Sequence, residues 1–470
     1  MIKLIIEKEL REMIGSTKFA VTFGVCAVLI LLAFYTGAKN YQVSMAQYEA
    51  AKSENMRQME GLTDWIMVRN HRIFLPPALV TGISNDIGRS IAVQGRGELA
   101  AQDSRFNDEP IFAVFRFLDL DFIFQIVLSL FAILFAYDAI NGEKERGTLR
   151  LAFANALPRA QYILGKITGS FIALAVPLLI PILTGCLLLP ILGVNLTGDE
   201  WLRLSLIIMA GLMYFGVFLM LSVFISSLTH RSSISFLLLL VIWIFSVLII
   251  PRTSVLLAGR AVDVPSVDEI ASQKNRLRTQ LWIEDRKKMG QFKPSNTEDM
   301  QAMVSEFNKF MSEIADEREK KMNELASRLN EDRRNKQAVQ ERLAFGFARL
   351  SPTATFSLVS TNLASTSMAL KAHYLSEATA YQKTYAEFMQ KKTGMNIGGG
   401  AMIFRMKRGD GEEEEEEKPI DPHELPEFQY AGIPLDMVVN AALPDIGLLA
   451  LFNIIFFAGA FVAFLRYDLR

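Results

Sequence analysis

The sequence predicts an all-α integral membrane protein. It should have six transmembrane helices, an N-terminal amphipathic interfacial helix and a largely helical extracytoplasmic domain built as a long helical hairpin. Three observations carry this. Of the 470 residues, 51% are hydrophobic and 21% charged. The apolar residues gather into long uncharged runs instead of spreading as they would through a globular core. The basic residues beside those runs fall on one side when the runs alternate across a bilayer.

The chain begins with 1–18, where Ile2, Ile5, Ile6, Leu10 and Ile14 alternate with acids and bases. That pattern predicts a short helix lying on the membrane surface. The runs themselves occupy 19–37, 118–137, 167–194, 204–229, 232–251 and 444–465. Most reach the roughly 20 residues that cross about 30 Å of hydrocarbon. A bilayer solvates no backbone, so each must be helical. The fifth run holds fourteen Leu, Ile, Val or Phe residues, which favour insertion by about 4–8 kcal/mol. The first run is longer than the roughly 7–15 residues of a cleavable signal, so it should stay as an anchor.

Orientation follows from the flanks. Lys3, Lys8, Arg11 and Lys18 precede the first span, and Lys144, Arg146, Arg150, Arg159 and Lys166 crowd 138–166. Arg231 separates spans four and five, and Arg466 and Arg470 lie in the tail, 466–470. The opposite loop, 195–203, holds one base, Arg203, beside Asp199 and Glu200. Both termini are therefore expected in the cytoplasm of a multi-pass protein of the inner cell membrane.

Two segments then face outward. In 38–117 the start, 40–69, reads as helix and Leu75-Pro76-Pro77 breaks it; the remainder gives no assignment. In 252–443, Met300, Met303, Phe307, Phe310 and Ile314 alternate spacings of three and four. Arg318 interrupts the stripe, which resumes at Met322, Leu325, Leu329, Val339, Leu343 and Phe347. Beyond Ser351-Pro352 a second stripe runs through Tyr374, Ala378, Tyr381, Tyr385 and Phe388. Closing the two stripes on each other makes the hairpin, with an extracytoplasmic protein partner as the alternative cover. The segment 393–426, with three glycines and six consecutive glutamates, reads as a solvated acidic linker.

Several function classes drop out. Lys+Arg 49 against Asp+Glu 50 gives a net charge of −1 and no footprint for nucleic acid. Cys26 and Cys186 lie inside apolar runs and read as core residues. His71, His230, His373 and His423 are scattered, with no H-E-x-x-H and no G-x-S-x-G elsewhere. No G-x-x-x-x-G-K-[ST] phosphate loop occurs. No catalytic, cofactor-binding or metal residue is expected in this chain. Asp119 and Asp121 have two readings, a polar path at the outer mouth or an interfacial helix cap. Pro177, Pro181, Gly185 and Pro190 are expected to kink span three or form an outer gate.

The informative segment is 138–166. Charges alternate through Glu143, Lys144, Glu145 and Arg146, the chain turns at Gly147, and Thr148 and Leu149 follow. An ATP-driven membrane motor needs such a rigid polar element to receive motion by complementary charge. Composition alone fits an ordinary positive-inside loop equally.

The Glu-x-Glu-x-Gly-Thr-Leu pattern over 143–149, with Pro158-Arg159 and Gly165-Lys166 after it, resembles the coupling-helix region of ABC type-2 exporter permeases. The six spans and the N-terminal helix match that layout. The stretch 350–366 is similar to bacterial members with a large extracytoplasmic insertion before the last span. The insertion here, about 190 residues, exceeds the short gating helices of typical relatives.

The resemblance implies a permease subunit in the lipid bilayer that couples ATP hydrolysis elsewhere to movement of a substrate or force. Glu143, Lys144, Glu145, Arg146, Gly147, Thr148 and Leu149 would enter a groove on a separate cytosolic ATPase subunit, which brings ATP and Mg. Six spans being half of the usual twelve, a second permease copy or a paralogue is expected. A different class of function also fits the large insertion: a non-transporting membrane scaffold whose outer hairpin recruits cell-envelope partners.

Overall fold

The computed structural model describes residues 2–68, 71–80, 84, 88–94, 99, 101–102, 120–154, 158–292, 300–393 and 419–467. Helix α1, Ile2–Ile14, precedes α2, Thr17–Arg57. Ser16 separates them, its hydroxyl accepting from the Phe19 amide at 3.1 Å as an N-cap. Because 41 residues rise about 60 Å, α2 is the first span and also a stalk projecting well beyond it. Three strands follow, β1 Arg72–Phe74, β2 Ser90–Ala92 and β3 Ala101–Gln102, in an antiparallel sheet of order β1-β2-β3.

The remaining spans are α3 Leu120–Ala136, α6 Arg159–Ile191, α7 Gly198–Leu228, the composite Ser232–Ala261 and α14 Leu435–Arg466. Two short helices, α4 Asn141–Glu145 and α5 Thr148–Ala154, join α3 to α6. Among the described residues, six helices are long and apolar enough to cross a membrane, the fold class that the apolar runs predict. Helix α6 is continuous through Pro177, Pro181 and Pro190. The fifth span divides into α8 Ser232–Trp243, a π-helical turn Ile244–Ile249 and α9 Ile250–Ala261. Pro251 takes the first turn of α9, where its missing N–H costs nothing, so the helix runs ten residues past the expected end.

The bundle packs around α7, against which α3 and α14 lie, while α2 and α1 pack on α6. Tyr214, Phe215 and Phe218 of α7 are fully buried, with Phe131 and Leu128 of α3 beside them. Small residues let the backbones close, as membrane helices require when lipid supplies no hydrophobic drive. A Cβ at Gly185 would meet the Phe34 ring at 2.3 Å.

A helical hairpin exists between the fifth and sixth spans, with different members from those expected. Helix α11, Met300–Ala348, packs against α9 and against α10, Val267–Gly290, and not against α13, Ala369–Thr393. Arg318 bridges to Asp285 at 2.8 Å and Lys288 to Glu317 at 2.5 Å. At its C-terminal end α11 buries Gln340, Ala344 and Ala348, whereas Val339 and Phe347 are each 44% exposed. The buried stripe is therefore one residue out of step with the apolar one. Ala344 packs on Val255 and Ala258 of α9, and the large apolar side chains Val339 and Phe347 face outward, an arrangement lipid permits and water would punish.

The chain then turns at Ser351, whose hydroxyl donates to the Ser246 carbonyl at 2.5 Å in the middle of the fifth span. Helix α12, Pro352–Leu363, returns through the bundle, with Phe356 stacked on Tyr214 at 5.0 Å between ring centroids. The second stripe on α13 is buried as expected, but under the β-sheet side of the outer domain. Tyr374 donates to the Ile73 carbonyl at 3.1 Å, and Tyr381 to Pro426 at 2.7 Å. The end of the expected linker belongs to this core: the Ile420 amide donates to Leu62 at 2.8 Å, and Leu425 is buried. The six glutamates lie outside the described residues, as does Asp119; of Asp121 only the helical backbone in the first turn of α3 is described.

Candidate functional site

The site is the turn between the second and third spans. After Ala136 the chain leaves α3, forms α4, reverses at Arg146 and Gly147 and forms α5 before entering α6. Gly147 has φ +72, a left-handed conformation that costs an L side chain roughly 1–2 kcal/mol. The start of α4 has no local cap. The Ile140 and Asn141 amides instead donate to the Ser226 hydroxyl of α7 at 3.0 and 3.1 Å. Asn141 also donates from its side chain to the Thr229 hydroxyl at 2.9 Å, while Ile140 and Leu149 are buried beneath the turn.

Three consecutive side chains then reach four other helices. The Glu143 carboxylate receives Lys166 of α6 at 2.8 Å and Lys8 of α1 at 3.1 Å, and accepts the Tyr162 hydroxyl. The Lys144 ammonium donates to the Ser227 carbonyl at 2.6 Å and to Thr229 at 3.2 Å, at the C-terminus of α7, and sits 4.1 Å over the Tyr467 ring. The Glu145 carboxylate accepts from the Ser232 amide and hydroxyl, both at 2.9 Å, at the N-terminus of α8. A cation at a helix C-terminus and an anion at a helix N-terminus each match the sign of the helix dipole.

The inner end of this network is Lys166, with a side chain 5% exposed and held between Glu143 and Glu9, the latter at 2.9 Å. Burial pushes the Glu9 carboxyl above its ordinary range, with Lys166 pulling the other way. Helix α1 can lie this close because α6 carries glycines where it crosses. A Cβ at Gly165 would stand 3.0 Å from the Ile5 side chain, and one at Gly169 2.9 Å from that of Glu9. Neither Glu9, Lys166 nor Tyr162 was singled out from sequence as a site residue. The signal was present, since an ammonium beginning a long apolar run must find a partner.

The seven residues expected to face a partner divide into two groups. Glu143, Lys144, Glu145 and Leu149 are engaged by, or buried against, this chain. Arg146 and Thr148 are exposed, and Gly147 shapes the bend between them. Arg146 makes a long 3.9 Å contact with Glu12. Sequence reasoning missed Leu151, 70% exposed on α5 beside this surface. An exposed cation, a tight turn and an exposed leucine thus lie together at a short turn, backed by a charged network that reaches α1, α6, α7 and α8.

Nothing in this arrangement supplies a nucleophile or a general base paired with one. No group of three or more His, Cys, Asp or Glu side chains placed to hold a metal ion occurs among the described residues. Cys26 and Cys186 are buried and unpaired.

Compared with known proteins, residues 4–469 match the family model described as ABC-2 family transporter protein. A 54-residue stretch is 48% identical to the "Probable ABC transporter permease protein NosY" of Stutzerimonas stutzeri, covering 12% of this chain and 20% of that protein. That local match thus spans about a fifth of the relative's length.

Proposed function

This chain belongs to the ABC-2 transporter family, as a membrane-spanning permease subunit of an ABC transporter, and on that premise we propose that the α4–α5 turn is where a separate ATPase subunit drives it. The knob of Arg146, Gly147, Thr148 and Leu151 docks into a groove on a cytosolic ATP-binding subunit, which supplies ATP, Mg and hydrolysis. Glu143, Lys144 and Glu145 do not dock. They carry the displacement inward, to α1 and α6, to the end of α7 and to the start of α8. The observation that carries this reading is the reach of three adjacent side chains to four other helices. A rigid element fastened at several points moves those elements together, the requirement for turning a cytosolic closure into a change among spans.

The turn, both termini and the tail lie on the cytoplasmic side of a bacterial inner membrane in this reading, and a second permease copy or paralogue completes the twelve spans. The test is affinity purification of the tagged permease, co-expressed with its ATPase subunit, from detergent extracts. Arg146→Glu with Leu151→Glu should lose the ATPase subunit while the permease stays folded and in the membrane. Undiminished association of that variant overturns the docking face.

A further inference from the structure

An open groove of about 640 Å³ runs between the ends of α7 and α14 on the side of the coupling turn. Phe224 and Ser227 of α7 line it, with Gly459, Ala463 and Arg466 of α14 and Tyr467 beyond. At its inner end α7 and α14 approach closely: a Cβ at Gly459 would lie 2.9 Å from the Phe224 ring. From Gly459 to Arg466 the groove follows the last two turns of a membrane span, about 10 Å. Its walls are apolar and small, and its mouth carries an exposed guanidinium with a tyrosine beside it. Hydrocarbon fits the first part, and a phosphate fits the second, since a guanidinium fork matches phosphate oxygens bidentately.

Two wall residues also belong to the coupling network. Ser227 gives its carbonyl to Lys144 at 2.6 Å, and the Tyr467 ring lies under the same ammonium at 4.1 Å. The His230 ring lies 5.9 Å from that of Tyr467 at the same end. The groove is thus the back wall of the seat that holds Lys144.

We propose that this groove binds an anionic phospholipid of the adjacent leaflet, acyl chain along α14 and phosphate on Arg466, and that its occupancy sets how firmly Lys144 is seated. Binding follows from the groove alone. The effect on coupling rests on the function proposed above, and the two are measured separately.

Full-length permease is reconstituted into vesicles of phosphatidylcholine with or without phosphatidylglycerol, extracted gently, and its retained lipid read by native mass spectrometry. The wild-type chain should retain phosphatidylglycerol over phosphatidylcholine. Arg466→Gln should lower that retention about fivefold, the worth of one base at an anionic surface. Gly459→Leu displaces the Phe224 wall and should abolish retention. Ala463→Leu serves as the milder second variant, checked for an unchanged melting temperature. Soluble glycerophosphate should not displace the lipid.

Equal retention of the two lipids, equal retention in Arg466→Gln and Ala463→Leu, or displacement by glycerophosphate overturns the binding site. With the ATPase subunit present, phosphatidylglycerol should raise ATP turnover in the wild type and not in Ala463→Leu. Lipid retained with turnover indifferent to it overturns the regulatory half alone. Failure of the ATPase subunit to associate in either lipid counts against the docking face and leaves the retention result standing.

Discussion

The Lys144 ammonium stands 2.6 Å from the carbonyl oxygen of Ser227, so the turn leaving span two is fastened to the last turn of span four. Its neighbours extend the grip in opposite directions, Glu143 to Lys166 and Glu145 to Ser232. A displacement of α4 cannot be absorbed locally, because each of the three side chains is tied to a different helix. In the proposed function the charge alternation serves transmission, and the residues just after it serve contact.

Replacing Lys144 by Met keeps the stem over Tyr467 and removes the three donors. The Ser227 and Thr229 carbonyls then lose a charged partner, a loss of roughly 1.5–3 kcal/mol. The expected outcome is an ATPase subunit that still co-purifies but whose turnover is no longer stimulated, read by ATPase assay on the purified complex. Loss of co-purification in a folded Lys144→Met protein contradicts the division between transmission and docking.

Lys166→Met leaves the buried Glu9 without its salt bridge and Glu143 with Lys8 as its remaining cation, and should destabilise the protein by about 3–5 kcal/mol. Adding Glu9→Gln and Glu143→Gln should restore most of that, because neutral amides carry no unpaired charge. Thermal melts in one detergent decide it. A triple variant no more stable than Lys166→Met shows that the cluster is held by something other than charge balance.

Gly147→Ala forces a Cβ into the left-handed region at φ +72, costing about 1–2 kcal/mol, yet nothing lies within 4 Å of that Cβ. The fold should survive and α5 should be re-aimed. Association with the ATPase subunit should therefore fall well before the melting temperature does. Parallel loss of both would mean the turn matters only for folding.

In the outer domain, burial pushes the His71 imidazole down from 6.5 to about 4, between Asn55 and the Tyr381 hydroxyl. The folded state therefore resists a proton that the unfolded chain accepts. Stability is full above pH 6.5 and declines as pH falls toward 4, by up to roughly 3 kcal/mol. Trp65 packs edge-on to Phe388 in the same core. Its fluorescence, with Trp201, Trp243 and Trp282 changed to Phe, should report a denaturant midpoint that drops across this window. His71→Phe should flatten the dependence, and an unchanged slope in that variant would assign it to other groups.

The spans were legible because hydrocarbon leaves the backbone no choice but helix, and long apolar runs admit no other reading. The charged turn was legible as a segment, but not in the direction of its side chains. Glu143 finds Lys166, Lys144 finds Ser227 and Glu145 finds Ser232, partners that only the packed bundle brings near. At the foot of α11 the rule that apolar residues are buried misplaced the face. There Ala344 packs on α9 and Ala348 is buried while Phe347 points away, the inversion expected where the surroundings are lipid. The Tyr374, Ala378, Tyr381 and Tyr385 stripe was legible as core, but its cover was not. That cover includes three-residue strands, too short for any period to show, and a segment beyond the acidic run.

On this account an ATPase subunit touches α5 while the adjoining charges stay engaged with this chain's own helices. A photo-crosslinking residue placed at Leu151, in membranes containing the co-expressed ATPase subunit, tests it most directly. The predicted result is an adduct of the permease with that subunit from position 151, and none from position 145. No adduct from 151 in a protein that still transports, or labelling of that position by an impermeant reagent on intact cells, would contradict it.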